Sequence, residues 1–229
     1  MFFCPSRGKD GNLIWSFLRL AFPNLNPPTY MEYRRNESAG MTIRLFGADA
    51  GGSFTFGKWE SNTKEDDRFV EFPLLPLDKI QTLRLKHGTM CPRFLLSPKA
   101  LPFSSFPALE TFVIEGERDV SCLLSDLFSN PSPSRSLKTL AFLDCNINGE
   151  FMDKLTQFSN TKKTTSAPLH RVVIVDSGGK LPSSPTVCEL MKYVEVVEAH
   201  VDEDLMLDLK WNAPWTDGVP KVFPHVQVI

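Results

Sequence analysis

The sequence predicts an α/β protein whose short parallel strands lie side by side in chain order, with helices on the convex side and an irregular N-terminal cap. The first observation is the spacing of apolar residues in one stretch, which runs Leu137-Lys-Thr-Leu140-Ala-Phe142-Leu-Asp-Cys145-Asn-Ile147. The second is that its L-x-x-L-x-L core recurs four more times, from Ile80, Leu109, Leu169 and Met191. Successive first positions (80, 109, 137, 169, 191) lie 29, 28, 32 and 22 residues apart.

Such spacing is typical of a short leucine-rich-repeat-like solenoid, in which each repeat of about 20–29 residues contributes one strand. A single repeat cannot bury its apolar side, so neighbouring repeats must supply the contacts. We therefore expect one set of strand residues to be buried on one face of the sheet. The set is Leu83, Leu85, Phe112, Ile114, Leu140, Phe142, Val172, Ile174, Val194 and Val196.

The alternate residues of the same strands are predicted to form the concave face, because successive side chains of a strand point to opposite sides. Charged residues lie at the ends of this face and apolar residues fill its middle. The candidate partner-binding residues are Arg84, Lys86, Val113, Glu115, Ala141, Leu143, Arg171, Val173, Val175, Tyr193 and Glu195.

An apolar patch of this kind permits two interpretations. It binds a protein partner, since large exposed apolar patches usually mark contacts, or the ends of the chain cover it. The second is favoured because parallel sheets are normally protected on both faces. In that case the binding site is expected on the loop rims at residues 86–90, 115–119 and 176–180.

The chain is expected to form one globular unit with three regions. Residues 1–76 contain a helix over 11–22, a proline-rich loop over 24–30 and a hairpin built from two alternating runs, Met41–Leu45 and Phe54–Phe56. Residues 77–211 form the repeats, and residues 212–229 an irregular tail in which Val226–Ile229 can add a last strand.

Three short helices are predicted between the repeat strands, because parallel strands need crossover connections. They cover Cys122–Phe128, Phe151–Phe158 and residues 186–192, and Asn148 or Gly149 is placed to cap the second. The polar stretches 130–135 and 159–168 are predicted to be loops.

Composition narrows the functional classes. The net charge of −2 argues against a nucleic-acid-binding protein. The five cysteines have no metal-ligand spacing, so we expect free thiols, a reducing compartment (cytoplasmic or nuclear) and no metal site. No secretory signal or membrane span is predicted.

No catalytic motif is found, so we expect neither catalytic residues nor a cofactor. The leading hypothesis is a non-catalytic protein–protein interaction module with an unidentified protein partner. The alternatives are a hydrolase or transferase on an α/β fold, and a truncated product without selected activity. An open α/β enzyme would have a point where strand order reverses, whereas a solenoid would not.

Residues Ser136–Cys145, Phe151–Phe158 and Leu169–Val175 resemble the degenerate leucine-rich C-terminal regions of fungal F-box-type proteins. The resemblance covers roughly residues 77–205. It implies a substrate-recognition role for a ubiquitin ligase, in which an N-terminal F-box docks the adaptor and the repeats hold the substrate. Residues 1–40 show no F-box, so we do not expect the adaptor itself to bind this chain.

Overall fold

A computed structural model describes residues 2–3, 28–36, 40–47, 51–56, 77–86, 106–116, 120, 127, 135–165, 167–175, 184–200 and 225–228. These residues include a ten-stranded sheet, two helices with described bounds, and two further helical residues, Val120 and Leu127. The strands are β1 Phe2–Phe3, β2 Tyr30–Asn36, β3 Gly40–Phe46, β4 Gly51–Phe56, β5 Thr82–Lys86, β6 Thr111–Glu115, β7 Thr139–Leu143, β8 Arg171–Val175, β9 Val196–His200 and β10 His225–Val228. The helices are α1 Gly149–Thr164 and α2 Ser184–Leu190, and Leu77–Lys79 form a 3₁₀ turn.

The sheet is mostly parallel, and the fold is α/β. Its strand order is β1-β10-β4-β3-β2-β5-β6-β7-β8-β9. Strands β5 to β9 follow one another in chain order, each parallel to the last. Strands β2, β3 and β4 form an antiparallel meander that extends from β5 in the other direction. Strand order therefore reverses between β2 and β5, which are themselves parallel neighbours.

The register of β5 to β8 is the one that the repeat pattern predicts. Phe112 lies opposite Leu140, which in turn lies opposite Val172. A backbone motif also recurs at the start of these strands: the carbonyls of Gln81, Glu110 and Lys138 each accept two amide hydrogens from the next strand. The predicted inward residues of the four strands are buried on one face, called here the helix-side face: Leu83, Leu85, Phe112, Ile114, Leu140, Phe142, Val172 and Ile174.

The predicted register of the fifth strand is wrong by three residues. Val197 and Ala199, not Val194 and Val196, lie opposite Val172 and Ile174. Val194 is buried just before the strand, in the place that Leu169 occupies before β8, while Met191 is 54% exposed. The run from Val194 to Ala199 is apolar at both odd and even positions, so its pattern alone admits more than one register.

Helix α1 covers part of the helix-side face. Its predicted N-cap is confirmed, because the Asn148 side chain accepts a hydrogen bond from the amide of Phe151 at 2.8 Å. The rings of Phe151 and Phe142 meet edge to face, with centroids 4.9 Å apart. The helix continues to Thr164, so the loop expected from residue 159 is wrong. Within the helix, the Ser159 hydroxyl donates to the carbonyl of Leu155, one turn earlier.

The N-terminal region is more regular than predicted. The hairpin is confirmed as β3 and β4, but it extends the sheet and is not an irregular cap. Strand β2 was not predicted. It pairs with β5 and so connects this hairpin to the parallel strands β5 to β9. The expected helix over 11–22 lies outside the described residues. Of the helix expected near 122–128, only Val120 and Leu127 are described nearby; both are helical and buried.

The face opposite α1, called here the second face, is also closed in its middle. Five apolar side chains from β6, β7 and β8 are at most 3% exposed and form their own cluster: Val113, Ala141, Leu143, Val173 and Val175. The apolar residues of the predicted partner-binding set therefore belong to the core, as expected for a parallel sheet.

Replacing Val173 by Asp tests this burial. The substitution places a carboxylate in an apolar cluster, so we expect it to lower the free energy of unfolding by at least about 3 kcal/mol. Gln157→Asp, on the exposed side of α1, is the control and should change it by no more than about 1 kcal/mol. Urea unfolding measures both, and equal small effects would show that the second face is accessible.

Candidate functional site

Six charged residues lie side by side on the second face, where the antiparallel strands β2 and β3 meet the parallel strands β5 and β6. We call this set the charged margin, and it consists of Glu32, Arg34, Arg44, Arg84, Lys86 and Glu115. Glu32 lies opposite both Arg44 and Arg84, while Lys86 lies opposite both Arg34 and Glu115. Strand alternation directs all six side chains to one side of the sheet.

Two ion-pair groups organise the margin. The carboxylate of Glu115 accepts from the Arg84 guanidinium and from the Lys86 ammonium, the latter at 2.5 Å. The carboxylate of Glu32 accepts from Arg44 at 3.1 Å. Arg84 and Glu32 are almost fully buried, whereas about a third of the Arg44 and Lys86 side chains is exposed. Each buried charge thus has a partner of opposite charge, as desolvation requires.

The electrostatics favour the ionised forms of Glu115 and Arg84. Burial alone would raise the pKa of Glu115, but hydrogen bonds from Lys86 and Arg84 outweigh it and hold the pKa below its usual value. Burial alone would likewise lower the pKa of Arg84, but the bond to Glu115 and its charge leave the pKa raised. Both groups therefore stay charged around neutral pH.

Tyr30 lies next to the charged margin and is the first residue of β2. Its ring meets Phe46 edge to face, with centroids 5.4 Å apart. Burial, followed by the charge of Glu32, raises the pKa of Tyr30 to about 12. The phenol is therefore protonated under ordinary conditions.

Arg34 gives the margin an excess of positive charge. It lies directly opposite Lys86, and both are partly exposed. The margin contains four cations and two carboxylates, and both carboxylates bond to the other three cations. Arg34 is therefore an accessible cation beside a lysine whose charge is already paired with Glu115.

The margin also lies where the order of strands in the sheet reverses. Lys86 and Glu115 are the last residues of β5 and β6, and Arg34 lies in the second half of β2. Strand order reverses between β2 and β5. In open α/β sheets, ligands bind outside the carboxyl ends of strands at such a reversal.

The predicted partner-binding residues fall into separate groups. Arg84, Lys86 and Glu115 come together in the charged margin, and the apolar five are core. Arg171 lies at the other side of the face, where it forms a two-bonded ion pair with Glu198 at 2.8 Å. Tyr193 and Glu195 were wrongly placed on the face because of the register error: both precede β9, and Glu195 instead contacts His170.

Sequence reasoning missed Glu32, Arg34 and Arg44. The available signal was a partial alternation in Tyr30-Met-Glu-Tyr-Arg-Arg-Asn36, where Met31 and Tyr33 share one parity and Glu32 and Arg34 share the other. Charged residues in a strand usually indicate a solvated face. Here Glu32 is 2% exposed, so that inference does not hold.

Two other polar features lie outside the margin: a groove between the helices and the buried Lys162. A shallow groove of about 510 Å³ lies between α1 and α2, with Asp153, Glu189 and Tyr193 in its wall. Burial lowers the pKa of Lys162 on α1 to about 8, but the side chain is 3% exposed on the far side of the sheet. Within the described ranges, no cluster of potential metal ligands and no helix able to cross a membrane is found.

Two of the five cysteines can be placed. Cys145 and Cys188 are free thiols, and the other three lie outside the described residues. Cys145 is buried at the turn after β7, where its Sγ contacts the carbonyls of Ile114 and Leu143. Its role there is structural.

No protein-family model, curated protein or solved structure matches this chain.

The lowered pKa of Glu115 predicts how stability depends on pH. A carboxyl whose folded pKa is depressed contributes stability above its unfolded pKa of about 4.5, and this is lost as pH falls towards the folded value. We expect Glu115→Gln to destabilise the protein at pH 7 by about 1–3 kcal/mol.

The difference between wild type and Glu115→Gln should shrink as the pH falls from about 5 to about 3. Urea unfolding at a series of pH values measures it, with the exposed Glu150→Gln as the control. A difference that stays constant down to pH 3 would show that Glu115 is not held ionised by its partners.

Proposed function

We propose that this chain is a non-catalytic binding module, built as a leucine-rich-repeat-like parallel coil, which holds a protein partner at the charged margin. The observation that carries the proposal is Arg34. It opposes Lys86 on an accessible part of the sheet, at the carboxyl ends of strands where strand order reverses. An accessible cation that bonds to neither carboxylate of the margin is a candidate contact for a partner.

The electrostatics of the margin favour binding over acid–base catalysis. A general acid or base works best with a pKa near the operating pH. The pKa values of Glu115, Arg84 and Tyr30 all move away from neutrality. Fixed charges of this kind orient and select a partner.

An enzyme on an open α/β sheet is the second candidate, because the reversal between β2 and β5 is also where such enzymes bind substrate. Lys162, the described group with a pKa lowered towards neutrality, does not support it. The side chain lies on the helix side and is almost fully buried, so it is remote from the reversal on the second face.

The resemblance to F-box-type proteins suggests one form of this function, which is substrate recognition for a ubiquitin ligase. In this form the recognised protein contacts the charged margin, while the adaptor contacts another chain. Affinity purification with and without a co-expressed ligase adaptor tests this form separately from binding itself.

Binding at the margin predicts that reversing one charge removes a partner. Wild type, Arg34→Glu and Lys79→Glu are used as crosslinking baits in a native extract, followed by quantitative mass spectrometry. Lys79 is an exposed cation in the 3₁₀ turn, so its variant carries the same charge change at a distant site.

We expect at least one protein to be recovered with wild type and Lys79→Glu, and to fall about tenfold with Arg34→Glu, a loss of about 1.4 kcal/mol. Thermal melts establish that all three baits are folded. Identical recovery with all three folded baits would contradict binding at the margin.

A further inference from the structure

The charged margin has an unequal charge balance that indicates the chemistry of its ligand. Glu115 and Glu32 are engaged by Arg84, Lys86 and Arg44, and Arg34 then adds a fourth cation. Arg84 and Glu115 are buried. Arg34, Arg44 and Lys86 are partly exposed, so the accessible groups of the margin are all positive.

The positions of the three accessible cations indicate the size of the ligand. Arg44, Arg34 and Lys86 belong to the adjacent strands β3, β2 and β5. Two strand spacings separate the outer strands by about 10 Å. An extended peptide places side chains on one side about every 7 Å, so acidic residues at i and i+2 reach across most of the margin.

We infer that Arg34, Arg44 and Lys86 bind the oxyanions of an acidic, extended peptide segment that carries carboxylate or phosphate groups at i and i+2. The inference rests on the proposed function and adds the chemical class of the partner. Guanidinium groups suit this role because their planar donors match carboxylate and phosphate geometry.

A peptide fits the margin better than a nucleic acid does. The chain as a whole carries a charge of −2, which opposes association with a long polyanion outside the margin. A short acidic segment places its charge at the margin only. Hydrogen bonds from charged donors in a half-buried setting then hold it.

The test uses fluorescence anisotropy with the full chain and four labelled probes at low ionic strength. The probes are a peptide with Glu at i and i+2, the same peptide with phosphoserine at both positions, the same peptide with Gln, and a short single-stranded RNA. Inorganic phosphate is added as a competitor. The two acidic peptides separate the carboxylate source from the phosphate source.

We expect one or both acidic peptides to bind, with the Gln peptide at least about tenfold weaker. Arg34→Gln should weaken binding of the acidic peptide by about tenfold, whereas Lys79→Gln should leave its binding unchanged. Equal binding of the acidic and Gln peptides, tighter binding of the RNA, or equal loss in both variants would overturn the inference.

A second measurement separates ligand binding from a structural role of Arg34. Replacing Arg34 by Gln removes a cation that bonds to neither carboxylate of the margin, so the melting temperature should change by no more than about 2 °C. A marked fall in melting temperature would mean that Arg34 supports the fold, and the inference would be wrong. Failure of all peptides, while Arg34→Glu still loses its cellular partner, would reject the acidic segment and leave the proposed function standing.

Discussion

The buried ion pair between Arg84 and Glu115 is the interaction on which the junction of this fold depends. It joins β5 to β6. The antiparallel strands begin on the other side of β5, where β2 is its neighbour. Two charges that are removed from water destabilise a fold unless they pair with each other and form further hydrogen bonds. Lys86 supplies such a bond to Glu115, and this arrangement requires the observed register of β5 and β6.

Burial of the sheet accords with the proposed recognition at the strand ends. The helix-side face is packed against α1, and the apolar middle of the second face is buried. Charge is concentrated at the margin, where Arg34 and Lys86 remain partly exposed. A sheet protected on both faces offers a ligand its strand ends, and here these coincide with the reversal of strand order.

The sequence was most informative where local pattern and packing agree. The register of β5 to β8 and the cap at Asn148 follow from spacing and capping chemistry, so both could be predicted. The alternation over Tyr30–Asn36 was a local signal for β2, but no local pattern reveals that ion pairing across strands buries Glu32. The register of β9 failed since Val194, Val196 and Val197 satisfy two alternations, and only pairing with β8 chooses between them.

A double-mutant cycle on Arg84→Met and Glu115→Leu tests the central claim most directly. Removing one partner leaves the other charge buried, so each single substitution should cost about 3–5 kcal/mol. The double substitution replaces both charges by apolar side chains and should cost much less than the sum, with a coupling free energy of at least about 2 kcal/mol from urea unfolding. Additive losses would show that the two charges act independently, and that the junction does not depend on their pairing.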